Sequence, residues 1–371
     1  MAKRPTVYDV AERAGVSIAT VSFTFRRPDR VRNSTREAVL AAARALGYLP
    51  SASARGLADG RTGALGLYSF DYLLDGAHHD QAVGVPAVDT DAGASASHDD
   101  PNEGFRLFPL YVDEVQRGVE LECWRRGYAL MIGGGSHVSR EAVVTDVAGR
   151  VDGLAVFPRT VPHDVLKHIS RRIPVVEVSE PSDEDALSHV TVDNFTGMRA
   201  LTEHLVQDHG LRDLLFIGTS VMSDIEARFK GFQASLHAAG LRVARQPLAL
   251  RGDVGNPAAM IIGDLVGAKT LPEGVVCATD QDALAIMDAL ADAGIDVPRQ
   301  VAVTGFDGIV AGCIARPTLT TVRQPMEQMG RAVVDILIKR LAHPEDPPLS
   351  RQLPVQILLR ESCGCRTALA H

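Results

Sequence analysis

Hydrophobic and polar positions recur with helical spacing over the first fifty residues and predict three short helices. Thr6, with an acidic residue three positions later, forms an imperfect capping box that opens the first helix, and Gly15 ends it. Ser17 opens a second helical segment in which Val21 is the inward residue. A tight turn that contains glycine therefore joins two short helices.

A third helix is predicted by the S-x-x-E pattern of Ser34 and Glu37, which is a complete capping box. Gly47 ends this helix, and Pro50 prevents it from continuing. Its apolar residues share one face, namely Val39, Ala42, Ala43 and Leu46. Two short helices around a tight turn, supported by a third helix, form the helix-turn-helix plan. We therefore predict an all-α head over residues 1–50.

The pattern of hydrophobic positions changes from Thr62 onward, where short apolar runs alternate with amphipathic helical patterns. This alternation predicts a mainly parallel sheet with helices on both faces, and the number of strands favours two lobes. The predicted strands are residues 64–70, 129–133, 153–157, 174–178, 214–217, 275–278 and 301–306. The clearest predicted helices are residues 112–126, 198–209 and 282–293.

Residues 71–105 do not follow this alternation. They contain eight Asp or Glu, no Lys or Arg, and many Ala, Gly, Ser and His. Such a composition buries too little apolar surface to offset chain entropy, so we predict a disordered acidic insertion after the first strand. His78, His79 and Asp80 could attract a metal ion, but a solvated loop is the preferred interpretation.

The composition is that of a soluble globular protein, with 46% hydrophobic and 23% charged residues among 371. No uncharged apolar run approaches the roughly 18 residues that span a membrane. Charged residues lie where the apolar core of a secretion signal would have to be. Five cysteines are few and odd in number, which argues against a disulfide framework. We therefore expect a cytoplasmic protein.

The net charge of −8 hides a division along the chain. Residues 1–60 hold ten Lys or Arg and five Asp or Glu, so the head carries +5 and the remainder carries −13. A basic head on an acidic body suggests that only the head meets a polyanion. A chance excess on a solvated surface is the alternative interpretation.

Residues 8–22, which read YDVAERAGVSIATVS, closely resemble the opening of the lactose-repressor (LacI/GalR) family of transcriptional regulators. The resemblance extends over nearly the whole chain, with the insertion at 71–105 as its main interruption. The later matches are Arg30-Val31, Thr35-Arg36, Ala45-Leu46-Gly47-Tyr48, Pro50, Arg61-Thr62-Gly63, Val192-Asp193-Asn194, Gly197, Glu203-His204-Leu205, Arg228, Gly231-Phe232, Asp280-Gln281, Ala283, Gly305-Phe306-Asp307 and residues 319–325, LTTVRQP.

The resemblance implies three regions. Residues 1–50 form the helix-turn-helix DNA-binding head, and residues 51–61 form a hinge helix or linker. Residues 62–371 form an effector-binding and dimerisation domain, a two-lobed α/β core like that of periplasmic binding proteins.

By resemblance, the second helix enters the major groove with its N-terminal residues at the base edges. Ile18 and Ala19 could then touch thymine methyl groups, whereas core packing is the alternative for Ile18 and Phe23. Phe23 stands where many family members have Arg, and Phe cannot bond a guanine edge, which changes the expected operator. The predicted DNA-binding residues of the head are Thr6, Tyr8, Ser17, Ile18, Ala19, Thr20, Ser22, Phe23, Arg30 and Asn33.

Residues 51–59 correspond to a hinge helix that enters the minor groove in the family. Leu57 would wedge between base steps, with Ala54 one turn before it. Isolated helices shorter than about 12–15 residues are marginal, and Gly56 weakens this one further. We expect the helix to form only when two subunits and DNA are together. A plain linker without a DNA role is the alternative.

Ligands of open α/β sheets bind beyond the carboxyl ends of the strands, where Asp280 and Asp307 are expected. The resemblance implies Arg228 as their partner. Helix capping is the alternative for each acid, although both roles can coexist, and a surface salt bridge is the alternative for Arg228. The full predicted effector set is Phe157, Arg228, Thr279, Asp280, Asp307 and Gln324.

Three departures from the family leave the effector's identity open. Thr279 stands where Asn is frequent, Gly308 replaces a frequent second Asp, and Val254 stands where several sugar-binding members have an aromatic residue. An aromatic residue at the end of the insertion could supply the missing surface; the candidates are Phe105, Phe108 and Tyr111.

One helix-turn-helix reads one half-site, so we expect a homodimer on a palindromic operator. We expect a repressor of carbohydrate-utilisation genes, controlled allosterically by a sugar or sugar derivative. A purine or nucleoside is the alternative effector. A sugar-binding protein without a regulatory role is the alternative class, but it would carry a secretion signal and no DNA-binding head.

The sequence shows no catalytic constellation, so we expect neither an enzyme nor a cofactor. Gly133-Gly134-Gly135 lacks the rest of a nucleotide-binding motif and is interpreted as a strand-to-helix turn. Cys363 and Cys365 could bind a metal ion, but two thiolates do not complete a zinc site. We therefore expect a plain C-terminal tail and no metal.

Overall fold

The structure is a computed structural model that describes residues 5–49, 61–69, 110–133, 140–158, 160–179, 187–218, 223–250 and 257–365. The chain forms two compact units, Met1–Gly63 and Ala64–His371. The predicted hinge segment 51–59 and the predicted acidic insertion 71–105 lie outside the described residues. Their expected disorder and DNA contacts stay predictions.

The smaller unit contains the three predicted helices, α1 (Val7–Ala14), α2 (Ile18–Arg26) and α3 (Asn33–Leu46). Their inward faces form one apolar core of Val10, Ala11, Val21, Val39, Ala42 and Ala43. The predicted capping box of α1 is present, because the Thr6 amide donates to Asp9 Oδ2 over 2.6 Å. Ser17 Oγ accepts from the Thr20 amide over 3.2 Å and caps α2 as predicted.

The start of α3 differs from the prediction. The helix begins at Asn33 with Arg32 at the N-cap, and no side chain makes the cap hydrogen bond. The predicted capping box of Ser34 and Glu37 is therefore wrong. A 3₁₀ turn over Pro28–Arg30 precedes the helix, and the Arg36 amide already donates to the Arg32 carbonyl over 2.9 Å. The helix thus starts two positions too early for Ser34 to serve as its N-cap.

The larger unit contains two sheets. Its strands are β1 (Ala64–Tyr68), β2 (Ala129–Gly133), β3 (Gly153–Val156), β4 (Val175–Val178), β5 (Ser188–Val192), β6 (Leu214–Ile217), β7 (Gly274–Cys277), β8 (Ala302–Asp307), β9 (Thr320–Arg323), β10 (Ser350–Leu353) and β11 (Gln356–Leu358). The first sheet has the order β10-β5-β4-β3-β1-β2, and all its pairs are parallel. The second has the order β11-β9-β8-β7-β6, with β11 alone antiparallel. The predicted two-lobed α/β core with mainly parallel strands is confirmed.

Helices of the larger unit pack against these sheets. They are α4 (Leu110–Arg126), α5 (Arg140–Ala148), α6 (His163–Ser170), α7 (Asn194–Gln207), α8 (Ser223–Ala238), α9 (Pro257–Ala268), α10 (Asp280–Asp292), α11 (Val310–Ile314) and α12 (Met326–Ala342). None of the helices in the described ranges has the length and apolarity that a bilayer span requires.

The chain passes between the two sheets three times in the described ranges. It leaves the first sheet after β5, returns after β9 through α12, which packs on α4 and on β3 to β5, and leaves again between β10 and β11. Each lobe is therefore built from segments that are not contiguous in sequence.

Two helix pairs of the larger unit meet backbone to backbone. A Cβ at Gly118 of α4 would lie 2.1 Å from the Glu327 carbonyl oxygen, and one at Gly330 of α12 would lie 2.1 Å from the Val115 carbonyl oxygen. Gly231 of α8 meets Phe195 of α7 in the same way, at 2.3 Å. Only glycine permits such an approach, so these contacts fix how each helix pair crosses.

Candidate DNA-binding surface and effector site

One surface of the smaller unit exposes large apolar side chains beside polar ones. The side chain of Tyr8 in α1 is 67% exposed, and those of Ile18 and Phe23 in α2 are 41% and 46% exposed. Val21, which also lies in α2, is fully buried. Core packing, the alternative for Ile18 and Phe23, is therefore wrong. The other predicted residues are also accessible, with Thr6, Ser17, Ala19, Arg30 and Asn33 exposed and Thr20 and Ser22 half-buried. Ala54 and Leu57 lie outside the described residues.

The N-terminus of α2 has the features of an anion-binding site. Ser17 Oγ is engaged by the Thr20 amide and lies 2.9 Å from the Thr20 hydroxyl, which holds both side chains at this end of the helix. The amides of the first turn lack partners within a helix, and the helix dipole adds positive potential there. A DNA phosphate fits this position.

In the larger unit, Arg228 of α8 is the centre of the predicted effector site. Its side chain is 3% exposed, so the alternative of a surface salt bridge is wrong. Nε donates to Asn194 Oδ1 over 2.8 Å, and Nη1 donates to the Ala278 carbonyl over 2.6 Å. Carboxylates of Asp224 and Asp307 accept from Nη2 and Nη1 over 3.3 and 3.4 Å. The guanidinium carbon also lies 3.9 Å above the ring of Phe306.

Asp307 ends β8 and lies against Arg228 and Gln324. Its φ of 127° is a conformation that residues with side chains rarely adopt, and such strain concentrates at functional sites. Burial raises the pKa of Asp307 to about 8, although Arg228 opposes this rise. A carboxyl that titrates near neutrality can both donate and accept hydrogen bonds there.

Gln324 follows β9 and is 2% exposed. Its Nε2 donates to Asp307 Oδ1 over 2.7 Å, while its backbone amide donates to the Asp307 carbonyl over 2.9 Å. Its buried Oε1, by contrast, finds no hydrogen-bond partner among the described residues. A buried acceptor without a partner is costly, and a ligand hydroxyl would satisfy it.

Asp280 is engaged by protein partners next to the loop that carries Asp307. Its side chain is fully buried; Oδ1 accepts from the Thr321 hydroxyl over 2.5 Å, and Oδ2 accepts from the amides of Gly308 and Ile309 over 2.7 and 2.9 Å. Thr279, not Asp280, is the N-cap of α10, since its hydroxyl accepts from the Asp282 amide over 3.1 Å. The capping alternative for Asp280 is therefore wrong, and its carboxylate instead holds the loop that carries Asp307.

Phe157 lies at the carboxyl end of β3, in the other sheet. It is 1% exposed and meets Tyr111 of α4 edge to face, with ring centroids 6.4 Å apart. The Tyr111 hydroxyl forms a hydrogen bond with Ser179 Oγ. Burial raises the pKa of Tyr111, and the charges of Asp224 and Asp307 raise it further. Of the three aromatic candidates at the end of the insertion, Tyr111 is the one within the described residues, and it lies near enough to Asp224, Asp307 and Arg228 for their charges to affect its pKa.

The structure therefore joins Arg228 and Gln324 through Asp307, whereas Phe157 packs against Tyr111. Sequence reasoning missed Asn194, Asp224 and Ser179. Asp224 could have been found, because it lies four positions before Arg228 on one helix face. Gly308, noted as a departure, has φ of 79°, and a Cβ there would lie 2.7 Å from Arg323 Cα, so this loop has no room for a second Asp. Val254, Phe105 and Phe108 lie outside the described residues.

The Cys363-x-Cys365 segment is not the plain tail that we expected. Cys363 is buried at the end of a 3₁₀ turn, Glu361–Cys363, and Cys365 is half-buried. Both thiols lie beside His204 and His209.

Two family models match the chain. Residues 6–51 match the lacI family of bacterial regulatory proteins, and residues 202–363 match the periplasmic binding protein-like domain. The transcriptional repressor PurR of Erwinia tasmaniensis is 28% identical over 91% of this chain and 90% of its own. The ribose operon repressor of Escherichia coli K12 is 29% identical over 91% and 94%.

Two solved structures share the fold over almost the whole chain. The complex of the transcriptional regulator CelR with cellobiose is 27% identical, covers 97% of this chain and 100% of its own, and has a TM-score of 0.64. The lac repressor dimer bound to operator and an anti-inducer is 22% identical, covers 97% and 99%, and has a TM-score of 0.73.

Proposed function

Since the chain belongs to the lacI family of bacterial regulatory proteins, and is a DNA-binding transcription regulator rather than an enzyme, we propose that it is a cytoplasmic repressor of carbohydrate-utilisation genes. Two copies bind a palindromic operator, and a small sugar-like effector changes their affinity for it.

DNA binding rests on the exposed surface of α2. Ile18 and Phe23 are apolar yet exposed, and the head that carries them is basic while the rest of the chain is acidic. Phe23 contacts the operator through apolar groups and groove shape, because it cannot bond a guanine edge as Arg does. Each phosphate that the head neutralises steepens the salt dependence of binding by roughly 0.9 log units per log unit of salt.

The unpartnered Gln324 Oε1 beside Asp307 is the observation that carries the sugar-like effector. Within one buried cluster, Arg228 offers the second N–H of Nη2, Gln324 offers an acceptor, and Asp307 offers either, depending on its proton. A polyol hydroxyl donates and accepts at once, so it satisfies such a mixed cluster. Tyr111 and Phe157 supply an apolar boundary on the opposite lobe.

The position of this cluster explains how effector binding is coupled to operator affinity. Arg228, Asp307 and Gln324 belong to the second sheet and its helices, whereas Tyr111 and Phe157 belong to the first. An effector that contacts both sets favours one arrangement of the lobes by its difference in affinity for the two arrangements. Such differences are typically about 1–3 kcal/mol, a five- to 150-fold change in operator affinity. The segment 51–59 carries the change to the DNA in this proposal.

A purine or nucleoside effector remains the alternative. It would require an accessible aromatic face for stacking. The unpartnered Gln324 Oε1, which a hydroxyl donor would satisfy, is the observation that favours the sugar-like effector.

The test combines operator binding with an effector panel. Fluorescence anisotropy should show preference for a palindrome near the protein's own gene over random duplex at moderate salt. A thermal-shift panel of sugars and nucleosides should then identify a compound that stabilises the protein and changes operator affinity. Gln324→Leu, which keeps most of the volume but removes the Oε1 acceptor together with the Nε2 donor to Asp307, should abolish the shift. Gln233→Leu, which alters an exposed glutamine contact elsewhere on α8, should not.

Equal affinity for palindrome and random duplex, with or without metabolite extract, would refute the regulator itself. Stabilisation by nucleosides and by none of the sugars would refute only the sugar-like effector.

A further inference from the structure

Four metal-ligating side chains from distant parts of the chain meet in the second lobe. His204 lies in the last turn of α7 and His209 lies just after that helix, while Cys363 and Cys365 lie near the C-terminus. Their ligand atoms all lie within 4.8 Å of one another. The effector site and the DNA-binding surface use none of these residues.

Four of the six separations between the ligand atoms lie close to those of a tetrahedral ligand shell, and all six are at most 4.8 Å. His204 Nε2 lies 3.0 Å from His209 Nε2, 3.5 Å from Cys365 Sγ and 3.9 Å from Cys363 Sγ. His209 Nε2 lies 3.4 Å from Cys365 Sγ. A tetrahedral Zn²⁺ site, with bonds of about 2.0–2.1 Å to nitrogen and 2.3 Å to sulfur, sets its nitrogens about 3.3 Å apart and nitrogen and sulfur about 3.5 Å apart.

The surroundings orient the ligand atoms as a metal site requires. The two Nε2 atoms face each other, and His204 Nδ1 lies 2.6 Å from Asp208 Oδ2, so the carboxylate selects the tautomer whose Nε2 lone pair is free. The Thr320 hydroxyl donates to Cys363 Sγ over 3.1 Å. Gly364 has φ of 99°, a conformation that suits glycine and turns the chain so that Cys365 returns to the histidines.

We propose that His204, His209, Cys363 and Cys365 form a Cys₂His₂ site for Zn²⁺ that fastens the C-terminal segment to α7. Two thiolates and two neutral imidazoles neutralise a divalent ion, and thiolates with imidazoles select Zn²⁺ over Mg²⁺ or Ca²⁺. All four positions are filled by protein, so the site is structural and leaves no position for a substrate.

A metal ion bound by these four residues would stabilise the folded lobe because it closes a long loop of the chain. Cys363 is separated from His204 by 159 positions, and Cys365 by 161. Closing so long a loop removes more entropy from the unfolded chain than a local contact does, so the metal stabilises the folded lobe. It also holds the segment that follows β11 in the second sheet against α7, whose N-terminal Asn194 bonds Arg228.

The experiment measures metal content in the full-length protein purified from zinc-supplemented cells without chelator. Site variants are Cys365→Ser and His209→Gln, and matched controls are Cys313→Ser and His237→Gln, which change exposed residues outside the cluster. Wild type and controls should carry close to one equivalent of zinc, and the site variants should lose most of it. Replacement by Co²⁺ should give the intense visible absorption of four-coordinate cobalt and a thiolate-to-cobalt charge-transfer band.

A second readout is thermal unfolding with and without a strong chelator. The chelator should lower the Tm of wild type and controls and leave the Tm of the site variants unchanged, which a purely packing role would not produce. The proposal is overturned if wild type binds neither Zn²⁺ nor Co²⁺, if the site variants retain as much metal as the controls, or if anaerobically purified protein carries a Cys363–Cys365 disulfide. None of these outcomes bears on operator binding, so the proposed regulator is judged separately.

Discussion

Replacing Arg228 by Met tests the electrostatic account of the effector site. Arg228→Met keeps most of the side-chain volume but removes the only guanidinium that the described residues place between Asp224 and Asp307. The variant leaves both carboxylates buried without their partner. It also removes the donors that satisfy Asn194 Oδ1 and the Ala278 carbonyl.

The magnitude follows from burial. The side chains of Arg228, Asp224 and Asp307 are 3%, 12% and 9% exposed, so solvent screens them little. Breaking such a buried pair from one side costs about 3–5 kcal/mol of unfolding free energy, because the remaining charge stays desolvated. Arg150→Met is the matched control. Arg150 pairs with Asp146 over 2.8 Å, but both side chains are about 60% exposed, so its loss should cost about 0–1 kcal/mol.

The stability cost of Arg228→Met should depend on pH in a definite direction. Burial raises the pKa of Asp307 to about 8, above its ordinary value of 3.8. The folded wild type therefore binds this proton more tightly than the unfolded chain, and stability from this group declines as pH rises through 8. Without Arg228, which opposes the rise, the pKa of Asp307 increases further. The cost of Arg228→Met should then be larger at pH 9 than at pH 6.

Urea unfolding followed by circular dichroism at both pH values measures this cost. Adding Asp307→Asn to Arg228→Met should recover roughly 1 kcal/mol or more at pH 9, since neighbouring residues in one network are coupled. Equal losses at both pH values, together with additive single and double variants, would refute the reasoning.

Three further predictions concern single contacts. Ser17→Ala should lower the unfolding free energy of the DNA-binding unit by about 1 kcal/mol, because it removes the N-cap of α2, whereas Ser34→Ala should change it little. Equal effects of the two substitutions in thermal unfolding would contradict the start of α3 described above. Phe23→Arg should add about 1–3 kcal/mol of preference for guanine at one operator base pair, read by binding-site selection, with an unchanged Tm because the position is exposed. Gly330→Ala should cost at least about 1–3 kcal/mol in urea unfolding, because its Cβ meets the backbone of α4, whereas Gly263→Ala in the open face of α9 should be neutral or stabilising.

Local patterns were sufficient where one face of an element is apolar and the other polar. Val21 and Val39 mark the inward faces of α2 and α3, and both are fully buried in the head. The apolar runs at β3 and β7 likewise predicted their strands to within one residue. The carboxyl end of a predicted strand indicated Asp307, and resemblance added Arg228 as its partner; no spacing rule brings either of them together with Gln324, 96 positions after Arg228.

Other features could not be predicted because distant residues decide them. β5 reads SHVTV and is buried despite its polar residues, because it lies between β4 and β10 in the sheet. Ser34 carries a correct local signal, but the preceding 3₁₀ turn moves the helix start. The two histidines and two cysteines lie about 160 positions apart, and only the fold unites them.

The interlaced path of the chain has a consequence for gene truncation. β10 forms the edge of the first sheet, and α12 covers that sheet, yet both are made after every parallel strand of the second sheet is complete. A stop codon late in the gene therefore removes parts of both lobes, and neither lobe exists as a contiguous fragment that could be expressed alone. During synthesis, the first sheet must wait for the second to emerge before its own edge strand and covering helix can be added.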